Sequence, residues 1–312
     1  MNIVCCTDHN YVMPTGVMIC SACVNHSNCK INFHVICNKD VTDEDKNDLI
    51  NIVQQYHHEI SFYLINIEIP NCFKIDNSAT HLSLAAYYRL FLVEILPVTI
   101  DKVLYLDSDI IVRHSIKEMY NSDIEKFAVG VVTDCFEGRI EYYNRLRYSP
   151  SLGYFNSGVM LINLKYWRQN NILQKGIDFA TKYPERIIYH DQDILNYLFK
   201  NDKKVFQLTF NLQEALLYKK LMISWEYEEE LKEAINNPCI VHYTAAYKPW
   251  RKKCTNPYMS EFLKYKRLTK WKDDPLWEAP KTTWRMKIKK MLSNLGILKG
   301  DKQTYVSVPT LE

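Results

Sequence analysis

Short apolar runs alternate with longer helical segments along most of this 312-residue chain. The segment Lys102–Leu106 is almost continuously apolar, as expected of a central strand that helices cover on both faces. Helices are predicted near Pro14, after Thr42, and over 82–96 up to Pro97. Further strands are predicted at 3–6, 32–37, 60–67, 127–132, 158–164, 205–208 and 239–243. We therefore predict an α/β fold with one mixed, mainly parallel sheet flanked by helices.

Composition restricts the classes of function. The net charge is only +3, so the chain has no strong electrostatic basis for binding nucleic acid. No apolar run reaches the ~18 residues of a membrane-spanning helix, and the first residues do not resemble a signal peptide. We therefore expect a cytoplasmic protein whose ten cysteines are reduced. Cys20 and Cys23 have C-x-x-C spacing, but their apolar neighbours favour a buried helix face over a zinc or redox site.

The chain after residue 270 differs from the rest. Trp271, Trp277 and Trp284 precede a basic amphipathic segment at 285–298. Tryptophan with lysine and arginine is typical of a helix on an anionic membrane surface, although an ordinary surface helix can have the same pattern. We predict a main domain over 1–270 and a basic helical tail over 271–312 that contacts a membrane peripherally. Residues 306–312 are expected to fray.

Two acidic residues, Asp107 and Asp109, follow the most apolar predicted strand. Ligands of open α/β sheets bind beyond the carboxyl ends of the strands. Two carboxylates there offer hard oxygen ligands for Mg²⁺ or Mn²⁺, which would also engage a diphosphate. A solvated turn in which one acid caps a helix would have the same spacing. The tripeptide alone leaves both interpretations open.

A third candidate ligand is His242, near the end of the predicted strand 239–243. An imidazole at a strand end can complete a metal site, and Lys248 nearby could face phosphate as a point cation. A single histidine beside a strand is more often structural. The metal hypothesis therefore depends on combining His242 with the two acids.

Several motifs share one order along residues 1–270 with a known enzyme family. They are Asp8-His9-Asn10-Tyr11, Tyr88-Arg89-Leu90, Asp107-Ser108-Asp109, Phe155-Asn156-Ser157-Gly158, His190-Asp191-Gln192-Asp193, and His242-Tyr243 followed by Lys248-Pro249-Trp250. Together they resemble the family-8 retaining glycosyltransferases, and within them the bacterial lipooligosaccharide α-galactosyltransferases and lipopolysaccharide glucosyl- and galactosyltransferases. Each motif is weak alone, but their order and spacing are specific.

The resemblance implies a GT-A fold, in which a nucleotide-binding sheet merges with a smaller acceptor region. It implies that galactose or glucose passes with retention from a UDP-sugar to a hydroxyl of a cell-envelope glycan such as lipopolysaccharide. Mn²⁺ or Mg²⁺ would be held by Asp107, Asp109 and His242. The partners would be the UDP-hexose donor and a glycan or glycolipid acceptor, with the tail on the cytoplasmic face of the inner membrane.

The resemblance also assigns roles to single residues. The positions that match contacts to nucleotide, diphosphate or donor sugar are Asp8, Asn10, Tyr11, His81, Leu82, Arg89, Asp107, Ser108, Asp134, Asn156, Ser157, Ala245 and Lys248. Catalytic roles are implied for Gln192, Asp191 and Lys248. Because an amide is a poor nucleophile, Gln192 favours front-face attack by the acceptor over double displacement. Thr244 and Ala245 stand where the family has glycine, so we expect shifted diphosphate contacts there.

Two other classes of function remain. A sugar nucleotidyltransferase would carry a glycine-rich basic loop after the first strand, and this chain has Thr7-Asp8-His9-Asn10-Tyr11 instead. A non-catalytic sugar-nucleotide or glycan-binding protein would not need an intact set of Asp107, Asp109 and His242. The donor sugar, the acceptor, the linkage and the oligomeric state stay open.

Overall fold

Within residues 1–67, 70–73, 85–279 and 304–309, which the computed structural model describes, ten strands form two sheets. The strands are β1 (Asn2–Thr7), β2 (Asn32–Cys37), β3 (Glu59–Leu64), β4 (Lys102–Leu106), β5 (Ile110–Val112), β6 (Val129–Thr133), β7 (Phe155–Asn163), β8 (Lys203–Phe206), β9 (Leu212–Gln213) and β10 (Ile240–His242). The α-helices are α1 (Val12–Val24), α2 (Asp43–Gln55), α3 (Ala85–Tyr88), α4 (Leu92–Ile95), α5 (Lys117–Asn121), α6 (Ile140–Leu146), α7 (Leu164–Gln169), α8 (Ile172–Lys182), α9 (His190–Phe199), α10 (Glu228–Asn236) and α11 (Met259–Lys266).

The larger sheet has seven strands in the order β3-β2-β1-β4-β7-β6-β8. Four of its neighbouring pairs are parallel, and β7 runs antiparallel to both β4 and β6. Strand β4 lies at the centre with four of its five residues buried, because helices pack on both sheet faces. This confirms the predicted mixed, mainly parallel sheet with flanking helices.

A second sheet of three strands, ordered β5-β10-β9, lies beyond the end of β4. The strand predicted at 239–243 belongs to this sheet instead of the larger one. Its partners β5 and β9 have three and two residues, too short to be recognised from an apolar pattern. The expectation of a single sheet was therefore wrong, although the fold class is the predicted one.

The helix predicted over 82–96 differs in the structure. Its described part is divided into α3, a 3-10 turn at 89–91, and α4, which ends before Pro97. The irregular turn contains Arg89, whose side chain is buried among polar groups of β4 and β7. In contrast, α1 is buried along nearly its whole length, so Cys20 and Cys23 lie on a buried helix face as predicted.

Part of the predicted tail packs on the main domain. Trp271 is buried against α1, where a Cβ at Gly16 would lie 2.3 Å from its ring. The Trp277 ring lies 6.0 Å from the Trp250 ring. Trp284 and the basic segment 285–298 lie outside the described residues. None of the helices in the described ranges has the length and apolarity needed to cross a bilayer.

Candidate active site

Strand register brings Asp107, Asp109 and His242 together. Strand β10 is antiparallel to β5 with His242 opposite Ile110, and the Tyr243 amide donates to the Asp109 carbonyl at 2.9 Å. Asp107 directly follows the last residue of β4. One ligand atom from each of the two acids and the histidine lies within 4.8 Å of the others. The motifs 107–109 and 242, far apart in sequence, therefore form one cluster.

The donor set of this cluster fits a divalent cation. The Asn211 amide nitrogen donates to Asn156 Oδ1 at 3.0 Å, so its oxygen faces His242 Nδ1, also at 3.0 Å. The proton is therefore assigned to Nδ1, and Nε2 presents a lone pair. Nε2 lies 3.1 Å from Asp109 Oδ1 and 3.8 Å from Asp107 Oδ2. The two carboxylate oxygens and Nε2 thus present lone pairs toward one another, and a cation between them would stabilise this arrangement.

The Asp107 carboxylate is held by two donors from the larger sheet and its flank. Arg89 Nη2 and the Tyr105 hydroxyl donate to Oδ1 at 2.8 and 2.9 Å. The guanidinium lies over the Tyr105 ring, 4.4 Å from its centroid. Both bonds go to the same oxygen, so Oδ2 remains directed toward the His242 side. Arg89 therefore orients one of the candidate ligands.

Lys248 already places a positive charge at this cluster. Its Nζ donates to Asp109 Oδ2 and to the Tyr243 carbonyl, each at 2.6 Å. Burial alone would raise the pKa of Asp109, but the positive charge of Lys248 opposes this effect, and that pKa is held well below its usual range. Asp109 is therefore an anion at neutral pH. Its two oxygens face different partners, the lysine and the histidine.

A cavity of about 310 Å³ opens beside the cluster. Its polar wall contains Asp134, Asn156 and Gln192. The Gln192 amide nitrogen donates to Asp134 Oδ2 at 3.2 Å, and its oxygen accepts from Asn156 at 3.2 Å and from the Ser157 amide at 3.0 Å. Burial raises the pKa of Asp134. This connected set of donors and acceptors can bind hydroxyl groups.

A second part of the cavity lining, the aromatic wall, consists of aromatic side chains. It is formed by Phe136, Tyr142, Tyr189 and Tyr218. The Tyr142 and Tyr189 rings are 5.1 Å apart and tilted, so they form one continuous surface. Sequence reasoning missed this wall, because aromatic residues from separate loops and helices give no local pattern. The cavity lining thus combines polar and aromatic side chains.

Asp191 lies in a buried polar network with Arg89 and Ser157. Its Oδ2 accepts from Ser157 Oγ at 3.0 Å and lies 3.2 Å from Arg89 Nε. Burial raises the pKa of Asp191 to about 6, although Arg89 opposes the shift. Arg89 also donates to the Ser157 carbonyl at 2.6 Å. Arg89 and Asp191, both assigned here from the sequence, therefore support the same stretch of β7.

The nucleotide-binding candidates lie at the carboxyl end of β1, beside that of β4. Asp8 caps a 3-10 turn by accepting from the Tyr11 amide at 3.2 Å, and Asn10 is exposed. The Tyr11 ring lies 5.9 Å from that of Trp250. Ser108 Oγ donates to the Cys6 carbonyl at 3.1 Å, which ties the acidic turn to β1.

Two further candidates from the sequence cannot be placed, and one lies in the cavity. His81 and Leu82 lie outside the described residues. Ala245 lines the cavity beside Thr244. Ala245, at a position where the family resemblance implies glycine, therefore lies in the cavity wall.

Two supporting residues were not found from the sequence. Asn211 is fully buried and positions the His242 ring, as described above. Gln213 is also fully buried, donates to the Thr133 carbonyl at 2.8 Å and accepts from the Cys135 amide at 2.9 Å. It therefore fixes the turn that carries Asp134. In the sequence, each of these two residues appears only as an amide side chain beside an apolar neighbour, Phe210 or Leu212, which gives no indication of its role.

Comparison with known proteins agrees with this geometry. The family model described as Glycosyl transferase family 8 matches residues 2–254. A lipopolysaccharide 1,3-galactosyltransferase of Salmonella typhimurium (strain LT2) is 32% identical over 284 residues, which cover 86% of this chain and 79% of that protein. General stress protein A of Bacillus subtilis (strain 168) is 28% identical over 276 residues, covering 87% and 94%. The crystal structure of galactosyltransferase LgtC with donor and acceptor sugar analogues is similar, with a TM-score of 0.77 and 28% identity, covering 86% of this chain and 96% of that one.

Proposed function

The chain belongs to glycosyl transferase family 8, and we propose that it moves a hexose, galactose or glucose, from a UDP-sugar to a hydroxyl of a cell-envelope glycan such as lipopolysaccharide. The observation that carries this proposal is the cluster of Asp107, Asp109 and His242 beside a cavity with a polar wall. The name of the similar lipopolysaccharide galactosyltransferase supports the choice of donor sugar and acceptor.

Asp107, Asp109 and His242 would hold the divalent ion, Mn²⁺ or Mg²⁺. When bound, the ion supplies positive charge that neutralises the diphosphate leaving group. Lys248, 2.6 Å from Asp109, lies at the same edge and stabilises negative charge on that diphosphate. The 3-10 turn after β1, with Asp8, Asn10 and Tyr11, would hold the uridine.

The donor hexose would lie against the polar residues of the cavity, because its diphosphate would be held by the neighbouring cluster. Asp134, Asn156 and Gln192 would bind its hydroxyls as paired acceptors and donors. The family resemblance also assigns Ser157 and Arg89 to this region. The bonds from Arg89 to Asp107, Asp191 and Ser157 support a positioning role for the guanidinium.

Retention is best explained by front-face attack of the acceptor hydroxyl. The Gln192 oxygen already accepts two hydrogen bonds, from Asn156 and the Ser157 amide, and an amide is a poor nucleophile. Asp191 is bonded to Ser157 and Arg89. The acceptor proton would then go to the departing phosphate oxygen as the new glycosidic bond forms. A glycosyl adduct trapped on Gln192 or Asp191 would overturn this mechanism.

The acceptor sugar would pack on the aromatic wall. Sugar rings present apolar C–H faces that pack on aromatic side chains, and Tyr142, Tyr189 and Tyr218 line the same cavity as the polar residues. The two substrates would therefore meet in one cavity. No nucleic acid is expected as a partner, given the net charge of +3.

We also propose that the basic segment 285–298 contacts an anionic membrane surface on the cytoplasmic face of the inner membrane. Its composition supports this proposal. Because Trp271 and Trp277 pack on the main domain, the membrane-contacting part would begin after residue 279. Such an attachment would bring the cavity close to lipid-linked acceptors.

The test is transfer from a panel of UDP-sugars to deacylated lipopolysaccharide cores, with the product linkage assigned by NMR. We expect one UDP-hexose to be used and its α configuration to be kept. An inverted linkage would refute the retaining mechanism. Binding of UDP-sugars without transfer or hydrolysis would instead favour a non-catalytic binding protein.

A further inference from the structure

Residues 304–306 return to the main domain and pair with residues 217–219. Tyr305 forms an antiparallel bridge with Tyr218. The two backbone hydrogen bonds that flank this bridge, one from Lys219 and one from Val306, each measure 2.8 Å. The expectation that the chain frays from residue 306 was therefore wrong for the described residues up to 309. A short strand pairing holds the end of the tail.

The side chain of Tyr305 adds two contacts to this pairing. Its hydroxyl donates to Glu214 Oε1 at 2.6 Å, and its ring lies 5.2 Å from that of Tyr218. Glu214 is only 2% exposed, and within the described part of the chain its Oε2 has no hydrogen-bond partner. A buried carboxylate is costly without hydrogen bonds. The bond from Tyr305 therefore matters to the position of Glu214.

Glu214 begins a 3-10 turn, Glu214–Leu217, that belongs to the cavity wall. Ala215 in this turn and Tyr218 after it both line the cavity. Tyr305 thus braces the turn through Glu214 and the aromatic wall through Tyr218. We propose that Tyr305 is a positioning residue for the acceptor: it fixes the wall on which the acceptor sugar packs. This inference rests on the proposed function.

The other end of the tail is attached to the loop that carries Thr244 and Ala245 at the cavity wall. Trp277 donates its amide to the Trp250 carbonyl at 2.8 Å and forms a bridge with Arg251. These residues follow Lys248 in the same loop. Both attachment points of the segment 278–303 therefore adjoin loops of the site. The tail end acts on acceptor binding through this attachment, independently of any membrane contact.

The experiment measures initial rates with a soluble acceptor oligosaccharide and no lipid. Tyr305→Phe removes one hydroxyl and keeps the ring, and a chain ended after residue 303 removes the whole pairing. We expect Tyr305→Phe to raise the acceptor KM about tenfold, the effect expected of one hydrogen bond to a carboxylate. The shortened chain should show a larger rise. The donor KM and the rate of UDP release without acceptor should change by less than about twofold. The reason is that the hydrogen bond lost in this variant is not made to the residues proposed to hold the donor.

Tyr120→Phe is the matched control. The Tyr120 hydroxyl accepts from the Asn2 amide at 3.1 Å, at the amino end of β1 and away from the cavity. It should leave the acceptor KM unchanged. An unchanged acceptor KM in Tyr305→Phe would overturn the inference, as would an equal rise in donor KM, which would indicate a general structural role.

A second readout separates this inference from the proposed function. Acceptor Kd can be measured by NMR titration in the presence of UDP and Mn²⁺, without turnover. If the wild type transfers no sugar, the proposed function fails, and the acceptor Kd of Tyr305→Phe still decides the inference. A weaker Kd in the variant supports it, and an unchanged Kd refutes it.

Discussion

Gly158 is the position where a single methyl group should disable the candidate metal-binding cluster without changing a candidate ligand. It lies on β7 opposite the end of β4, and its carbonyl accepts from the Asp107 amide at 2.9 Å. A Cβ built there would lie 2.3 Å from His242 Cε1, 2.6 Å from Asp107 Oδ2 and 3.1 Å from Asn156 Oδ1. Gly158→Ala therefore forces two candidate ligands apart.

The expected loss of activity in Gly158→Ala follows from these distances. Because carbon atoms in contact are about 3.5 Å apart, His242 has to move by roughly 1 Å. A misplacement of about 1 Å costs on the order of 100-fold in rate. Overpacking of a buried site also costs about 1–3 kcal/mol of unfolding free energy. We expect Mn²⁺-dependent UDP release to fall about 100-fold while the variant remains folded.

Gly176→Ala is the control for this prediction. Its added Cβ would meet Ile194 at 3.4 Å and Leu198 at 4.0 Å, which are ordinary contacts. Because Gly176 lies in α8, alanine should stabilise the helix by up to about 1 kcal/mol and leave activity unchanged. Near wild-type UDP release by Gly158→Ala, with the same Mn²⁺ requirement, would show that reaction does not depend on the geometry around His242.

Two further predictions concern buried charges. The pKa of Asp191 is raised from 3.8 to about 6, so the stability contributed by this group is full below 3.8 and is lost as pH rises toward 6. The unfolding free energy of Asp191→Asn, measured by urea titration, should therefore rise by about 3 kcal/mol relative to that of the wild type between pH 3.5 and pH 7.5. A difference between the two proteins that does not change with pH would refute the raised pKa. Arg145→Met removes the bonds of 2.5 and 2.9 Å to the fully buried Asp193. We expect it to lose about 3–5 kcal/mol in the same assay, with partial recovery on adding Asp193→Asn, and a loss below about 1 kcal/mol would contradict this role.

The sequence predicted best those elements whose signals are local. Strands β2 and β4 have the predicted bounds, because each is mostly apolar over a length typical of a buried strand. The start of α2 was predicted from Thr42 and the acids that follow, and in the structure Thr42 and Asp45 form a capping box. Strands β5 and β9 were missed, since their existence depends on pairing with β10, more than a hundred residues after β5.

The same distinction holds for the site. Asp107, Asp109 and His242 were chosen from motifs, and the structure brings them within 4.8 Å. Their supports, such as Tyr105 and Asn211, come from tertiary contacts that no motif describes. The pairing of residues 304–306 was missed for that reason as well. The segment 304–309 gives no sign in its own sequence of the residues with which it pairs.

The central claim is that Asp107, Asp109 and His242 hold a metal that the reaction requires. The most direct measurement is UDP release from the preferred UDP-hexose with and without Mn²⁺, for wild type, Asp109→Ala and the control Asp178→Ala, which removes an exposed acid on α8. We predict metal-dependent release by the wild type and Asp178→Ala, and a loss of at least about 100-fold in Asp109→Ala. Release that is independent of metal, or that persists in Asp109→Ala, would contradict the claim.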